Sequence, residues 1–481
     1  MLIQPTFRDP DGICFSSGDR ILRLIHLPAE PWVRELLSSS FIGRLIDEGH
    51  MPRTRVLSSA EVATLVAAEG SALPRGIKPT SMVLEHERIA FPSYPHEWCA
   101  EMLHAAGELT LEIHGRALEA GLQLKDATPG NILFDGARPV FVDLLSFSPR
   151  PAGTALWMAY AQFVRTFLLP LMLHREQGIA PHSLFLTRRD GVEPEEVYSQ
   201  LSFFSRLGWS AFQFVTLPTW FGRHRAATEP APKASPKHDD ERAAIISRMV
   251  LNGLRRSFRS VRPHSGRKSG WSDYETKNNY RDDAFSAKET FVRASLARLA
   301  PRTVLDLGCN MGHFSALATE AGAAVVAIDY DAAVVGRVWQ RAQSKQLKIL
   351  PLVLNLASPT PGLGWRNAET ASFLARAVGR FDVALLLAVI HHLTVTDGVP
   401  LPEVFRLVAE LVGHGAIVEY VPTSDSMFRK IARNKEHLLP HLQRADFEAA
   451  FAPWFSAMSV QEIPGSGRVL YCLEKKRTAS A

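Results

Sequence analysis

The sequence predicts an α/β protein in two parts: an α+β N-terminal half, and a C-terminal half built on a doubly wound, seven-stranded sheet. Three observations carry this. From residue 303 onward, short apolar runs (Val304-Leu305, Ala324–Ile328, Ile349–Leu354, Phe381–Leu387) alternate with helical periodicity. Strands buried on both faces of a parallel sheet read this way. The C-terminal stretch holds two strand-like segments, 456–463 and 468–474, joined by Pro464-Gly465-Ser466-Gly467. So tight a hairpin requires an antiparallel pair, which sets an antiparallel last strand into a parallel sheet. Finally, Ala226–Asp240 has three prolines and no bulky apolar residue, the composition of a linker. The expected domains are therefore 1–222, a linker over 223–270, and 271–481.

Composition narrows the class. At 481 residues, 46% hydrophobic and 21% charged, the chain has ample length for two packed cores. A formal charge of +5 is modest for this length and does not call for nucleic acid. Cys14, Cys99, Cys309 and Cys472 form no C-x-x-C pair, which speaks against zinc or a disulfide framework and for a reducing cytoplasm. Arg8, Asp9 and Asp11 interrupt the start, so no secretory signal is expected. The most apolar run, Ala155–Leu173, contains Gln162, Arg165 and Pro170, and reads as a core helix rather than a membrane span.

In chain order, 12–15 and 20–25 read as strands joined at Ser17-Gly18-Asp19. Helices are expected at Trp32–Asp47 and Ala60–Ala68, a strand at Ser81–His86, and a long helix over 98–120 with Met102, Ala105, Leu109 and Ile113 on one face. Two short strands then flank an Asp135-Gly136 turn. Asp126 and Asn131 lie five apart before the turn, and Asp143 ends the second strand.

This D-x-x-x-x-N pattern with a strand ending in Asp resembles the catalytic and metal loops of protein-kinase-like and aminoglycoside-phosphotransferase-like folds. The resemblance implies Asp126 as the hydroxyl-orienting base and Asn131 and Asp143 as magnesium ligands. The chain departs from that pattern in several places. It has no lysine before Lys78, no good phosphate-covering loop at Ser16–Asp19, and Leu144-Leu145 after Asp143. Phosphoryl transfer without phosphate anchors leaves charge uncompensated. A degenerate kinase-like domain that binds a substrate or partner is the preferred reading. A Mg/ATP-dependent phosphotransferase is the rival, and a solvent-facing hairpin with incidental acids is the plain alternative.

Residues 154–220 continue as helix, with Trp157, Tyr160, Phe163, Phe167, Phe203, Phe204, Trp209, Phe212 and Phe214 at spacings that favour core packing over an aromatic pocket. A short amphipathic helix is expected at Glu241–Phe258. The basic run from Arg259 to Lys268 lacks interleaved aromatics, so it reads as solvated linker. A helix at Ala284–Ala300 would pack over the first strand of the C-terminal sheet.

That sheet opens with Thr303-Val304-Leu305-Asp306-Leu307-Gly308-Cys309-Asn310-Met311-Gly312, a strand, a glycine turn and the start of a helix. A second strand ends at Asp329, 23 residues after Asp306. An acid there accepts hydrogen bonds from both hydroxyls of a ribose. A NAD site would favour G-x-G-x-x-G to hold a pyrophosphate at the helix N-terminus. Here Asp306–Gly312 resembles motif I of class I S-adenosyl-L-methionine (SAM) methyltransferases, D/E-x-G-x-G-x-G, with Asn310 in place of the middle glycine. An α/β turn with no ligand is the alternative.

The resemblance to this Rossmann-like family covers 271–481. It implies SAM as cofactor, held by Asp306, Gly308, Asn310, Gly312, Asp329, Asn355 and Ala388. Asn355 stands where the family usually has Asp. Ala388-Val389-Ile390-His391-His392-Leu393 resembles the family's motif IV region, making His391 and His392, together with Glu419 on the fifth strand, the candidates for acceptor base or orienter. Tyr274, Asn279, Tyr280 and Lys288 are candidate lid residues. A helix is expected at 369–378, another at 401–412, and a strand at 415–422. The two-part chain also resembles a bacterial family that includes host-specific nodulation proteins. The expected activity is methyl transfer to a small-molecule or saccharide acceptor, with no nucleic acid partner. A non-catalytic binding module is the second rival.

Overall fold

The computed structural model describes residues 6–70, 73–74, 76–225, 239–263, 282–435, 437 and 441–476. The chain divides into two compact units, 1–135 with 139–264 and 363–371, and 136–138 with 265–362 and 372–481.

In the first unit, β1 (Gly12–Ser17), β2 (Arg20–Ile25), β3 (Thr54–Val56) and β4 (Val83–His86) form an antiparallel sheet in the order β1-β2-β4-β3. Strand alternation sends Leu22 and Leu24 into a core with Phe15, Leu57, Val62, Leu65 and Val83. The same alternation puts Arg23 on the opposite face, opposite Cys14 in the register. Two small ladders follow, β5 (Leu122–Leu124) with β8 (Phe147–Pro149), and β6 (Ile132–Asp135) with β7 (Arg138–Phe141). The helix Ala100–Glu119 buries Met102, Leu109 and Ile113. Helix Asp240–Ser260 lies against it so closely that any side chain at Gly107 would collide with the Phe258 ring.

Several elements depart from expectation for local reasons. The helix expected over 32–47 is two helices, Glu30–Ser38 and Ser40–Asp47. Ser39, in an extended conformation, ends one and caps the other by accepting from the Ile42 N–H. The core helix over 155–173 runs instead from Tyr160 to Gln177 and contains a π-helical turn at Val164–Leu168. Pro170 follows that turn by two residues, as Pro218 follows a second π turn at Phe212–Thr216. A proline lacks the N–H that would close the preceding α-turn, and the widened turn redistributes the bonding.

The second unit is a seven-stranded sheet: β9 (Thr303–Leu307), β10 (Ala324–Asp329), β11 (Ile349–Val353), β12 (Phe381–Leu386), β13 (Val412–Tyr420), β14 (Phe455–Glu462) and β15 (Val469–Lys475). Its order is β11-β10-β9-β12-β13-β15-β14. The first five pair in parallel, while β15 runs antiparallel to both β13 and β14. The doubly wound sheet with its antiparallel last strand is thus as the sequence implied. The helix expected at 369–378 shrinks to Phe373–Ala377, because Ser372 caps it and Leu363 pairs with Thr370 in a small bridge. Tyr274, Asn279 and Tyr280 lie outside the described residues, as do 226–238 and 264–270 of the linker.

Candidate active site

The strand order reverses direction between β9 and β12, and loops leaving the carboxyl ends of such strands diverge to open a crevice. A cavity of about 430 Å³ opens there, in the second unit. The turn after β9 is pinned to β10 by the Gly308 and Cys309 N–H groups, which donate to the Ile328 carbonyl at 2.9 and 3.0 Å. Gly308 takes φ +76° and Gly312 φ +72°. A side chain at Gly308 would lie 2.8 Å from Val389, so glycine is required there for fit as well as for conformation. Gly312 sits behind the turn against Val338 and caps the helix His313–Glu320. Asn310 itself has φ +46°, a left-handed conformation that asparagine tolerates better than most residues. That explains how it replaces the expected glycine.

Asp306 is buried and its Oδ2 accepts from Ser315 Oγ at 2.5 Å. Burial pushes its pKa up to about 6, against the opposing pull of the Ser315 hydrogen bond. Asp329 accepts from the N–H groups of Asn310 and Asp331, each at 3.0 Å, yet burial also raises its carboxyl. Asn310 Oδ1 is buried with no hydrogen-bond partner. Asn355 lines the cavity, with its Oδ1 capping its own turn through the Ala357 N–H at 2.9 Å. Ala388 lines the cavity too, at φ +59°, an uncommon conformation for a residue with a Cβ.

In the segment after β12, His391 also lines the cavity; it is buried, stacks on Phe428 at 5.6 Å, and leaves its Nδ1 without a partner. Burial drives its pKa down to about 3 and lowers that of His392, 4.4 Å away ring to ring. Both imidazoles are therefore neutral near pH 7. Glu419 is not available as a base. Its buried carboxylate accepts from Lys288 Nζ at 2.5 Å and Arg468 Nη1 at 3.0 Å. Burial alone would raise it, but the two cations hold it at about 2. Arg468 also bonds Asp425 Oδ2 at 2.8 Å, so four charges tie helix, strand and hairpin together. Lys288, expected in a lid, and Arg468, not anticipated, both line the cavity.

The fit to SAM rests on the donor and acceptor set. Two carboxylates with raised pKa values and an orphaned amide oxygen are acceptors in want of donors, and a ligand bearing hydroxyls and an ammonium supplies them.

In the first unit, the hairpin residues come together but are satisfied from within. Asp143 Oδ1 accepts from Arg23 Nη1 at 2.7 Å and its Oδ2 from Ser146 Oγ at 2.6 Å. Asn131 Nδ2 donates to the same Ser146 hydroxyl at 3.0 Å. Burial would raise the Asp143 carboxyl, but Arg23 and Ser146 together hold it below its ordinary value. Asp126, exposed on one side, is raised by partial burial and by the charge of Asp143. The cation that neutralises Asp143 is thus Arg23, on β2. Among the described residues, no group of three or more His, Cys, Asp or Glu is arranged to hold a metal.

The family described as "Methyltransferase domain" matches residues 280–463. Nodulation protein NoeA of Rhizobium meliloti (strain 1021) is 31% identical over 478 residues, covering 98% of this chain and 95% of that protein. Among solved structures, the N-methyltransferase NodS of Bradyrhizobium japonicum WM9 is 13% identical, with TM-score 0.31, over 41% of this chain and 98% of that one. Magnesium protoporphyrin IX methyltransferase of Synechocystis PCC 6803, with bound SAH, is 20% identical, with TM-score 0.30, over 47% and 94%.

Proposed function

We propose, from the premise that the chain belongs to the family of the nodulation protein NoeA and is a SAM-dependent methyltransferase, that its acceptor is a hydroxyl-bearing small molecule or saccharide taken into the cavity of the second unit. The observation that carries this is the cavity's lining: Asp306, Asn310 and Asp329 from the β9 and β10 ends, and the neutral imidazoles of His391 and His392 with Thr396 and Asp397 from the segment after β12. Such a lining suits a neutral polar acceptor better than an anion or a purely apolar one.

Asp306 would hold the ammonium of SAM and Asp329 its ribose, with Asn310 and Asn355 completing the acceptor set. Bound SAM supplies a methyl group already activated by its sulfonium, so no metal or electron carrier is needed for transfer. The chain's task is alignment and exclusion of water. Leu387, Val389 and Leu393 provide the dry wall, and the strained Ala388 keeps backbone rather than a bulky side chain at the strand end. His391 Nδ1 accepts a hydrogen bond from the acceptor hydroxyl and fixes its lone pair toward the methyl group. As the C–O bond forms and the C–S bond breaks to leave S-adenosylhomocysteine, an imidazole so weakly basic would not store the hydroxyl proton but pass it on to water. Lys288, Glu419 and Arg468 brace this wall.

For residues 1–222 the reading we favour is a degenerate kinase-like binding module, and the support is the Arg23 guanidinium occupying the carboxylate that a metal would need. A cytoplasmic location is likewise our reading. Its support is that all four cysteines are unpaired, and among the described residues no helix is long and apolar enough to cross a membrane.

The test is to incubate the full chain with radiolabelled SAM and a cell extract, then fractionate the label. Label in the small-molecule or saccharide fraction supports the proposal. Label confined to protein or nucleic acid overturns it.

A further inference from the structure

A working imidazole is commonly aimed by a hydrogen bond on one of its nitrogens. His391 Nδ1 has no such partner among the described residues, and the ring is aimed by packing. Phe428 stacks on it at 5.6 Å with the planes 18° apart, and His392 lies 4.4 Å away at 45°. Whatever fixes Phe428 therefore fixes the direction of that nitrogen.

Phe428 is buried at the third position of helix Ser426–Ile431, in a cluster with Val395, Val421 and Ala432. So short a helix depends on its cap. Asp425 supplies one, its Oδ1 accepting from the N–H groups of Met427 and Phe428 at 2.9 and 3.1 Å. The other oxygen is latched. Asp425 Oδ2 accepts from Arg468 Nε at 3.1 Å and Nη2 at 2.8 Å, and Arg468 Nη1 continues to Glu419 Oε1 on β13 at 3.0 Å. Burial would raise the Asp425 carboxyl, but Arg468 and the two N–H groups hold it below its ordinary value. One carboxylate thus connects a buried charge of the sheet to the ring on which His391 rests.

The far end of the segment is fastened as well. Lys435 Nζ donates to the carbonyls of Val395 and Thr396 at 2.6 and 2.9 Å. These close the π turn His392–Thr396 that His391 caps, and carbonyls at a helix end lack a partner within the helix. Residues 425–435 so clasp the histidine segment at both ends. Met427 and Ile431 line the cavity, whereas Asp425 does not.

We propose that Asp425 is a positioning residue for methyl transfer, setting the direction of His391 Nδ1 through Phe428 while Arg468 anchors it to the sheet. This rests on the reading in which His391 orients the acceptor hydroxyl.

The experiment compares Asp425→Asn with the wild-type full chain. Asparagine keeps an oxygen for the cap but sets an amide where Arg468 needs an acceptor. Transfer of label from radiolabelled SAM into the small-molecule and saccharide fraction of a cell extract should slow roughly tenfold. SAM affinity by calorimetry should stay within about twofold, which also reports that the variant is folded. The third measurement is the His391 Cε1–H signal in a chain labelled with carbon-13 histidine, assigned by its loss in His391→Ala. In the wild type this ring, with His392, Arg468, Glu419 and Asp425 around it, is held by burial at about 3 and should not titrate above about pH 5. In Asp425→Asn the unstacked ring should titrate above about pH 5. Loss of the Asp425 charge without movement would shift it the other way. Phe428→Leu, which keeps the core filled, should reproduce both changes. Added to His391→Ala, Asp425→Asn should slow transfer no further.

If His391→Ala slows transfer while Asp425→Asn alters neither rate nor titration, the inference falls and the reading beneath it stands. A further tenfold loss on adding Asp425→Asn to His391→Ala has the same meaning. Transfer at the wild-type rate by His391→Ala sinks that reading itself, and the inference with it.

Discussion

The two units place carboxylates in opposite surroundings. In the first, Asp143 is met on both oxygens by side chains of its own unit, Arg23 and Ser146, and its pKa falls. In the second, Asp306 is buried and Asp329 half-buried, each with only neutral hydrogen-bond donors on it, and their pKa values rise. A carboxylate already neutralised by a tethered cation is part of the scaffold. One that is buried and lacks a cation keeps a place for a ligand to complete. Clustering of acids alone does not distinguish the two cases, and the identity of their partners does.

The contrast can be tested from its strongest consequence downward. Arg23→Ala should strip Asp143 of its counter-charge and destabilise the first unit by about 3–5 kcal/mol. Thermal melting would show a lowered first transition, with SAM affinity unchanged within about twofold, about 0.4 kcal/mol. Adding Asp143→Ala to it should restore part of the loss. If Arg23→Ala instead gains magnesium-dependent ATP binding without losing stability, the arginine is a gate and not a scaffold.

Asp329→Ala should weaken SAM binding by roughly a hundredfold, the worth of two hydrogen bonds to a charged acceptor. The same substitution at Asp143 should leave that affinity alone. Calorimetry on both variants decides whether only the second unit's acids serve the cofactor.

The pH responses should also be opposite in sign. With its pKa raised to about 6, Asp306 adds stability while protonated, fully so below about pH 4. That contribution, roughly 3 kcal/mol, disappears as pH rises from about 4 to about 6. Asp143, held low, adds stability above the ordinary Asp range and loses it as pH falls. Asp306→Asn should remove the first effect, so the stability difference from wild type should widen between about pH 4 and 6. SAM affinity of the wild type should fall by about tenfold per pH unit below about 6. A flat profile would mean that Asp306 does not hold the ammonium.

The smallest effect belongs to Asn310→Gly. Glycine accepts the left-handed backbone, so stability should change by less than about 0.5 kcal/mol. Loss of the orphaned Oδ1 should weaken SAM binding only about threefold, or about 0.7 kcal/mol. A hundredfold loss would make that amide a principal anchor.

How legible each feature was in the sequence follows from the range of the interactions behind it. The strand positions and the turn after β9 are written locally, in apolar runs and in glycines whose φ values require them. Asp306, Asp329 and the histidine pair follow from their places at strand ends. The brace on Glu419 does not, because Lys288 lies 131 residues before it and Arg468 49 after. Nothing near Glu419 in the sequence reveals that its charge is already answered. The expected base became a structural anion for that reason. The three-residue strand β3 is too short to show any periodicity, and Ser39 splits a helix through a cap that an apolar pattern overrides.

The place of β15 has a consequence for biosynthesis. This strand is the last of the sheet to leave the ribosome, yet it lies inside the sheet, and β14 joins the sheet only through it. The residue just before it, Arg468, is also the one that completes the brace on Glu419. During translation the second unit must therefore wait with an open seam along β13. A premature stop just after Arg468 would remove a keystone rather than fray a margin.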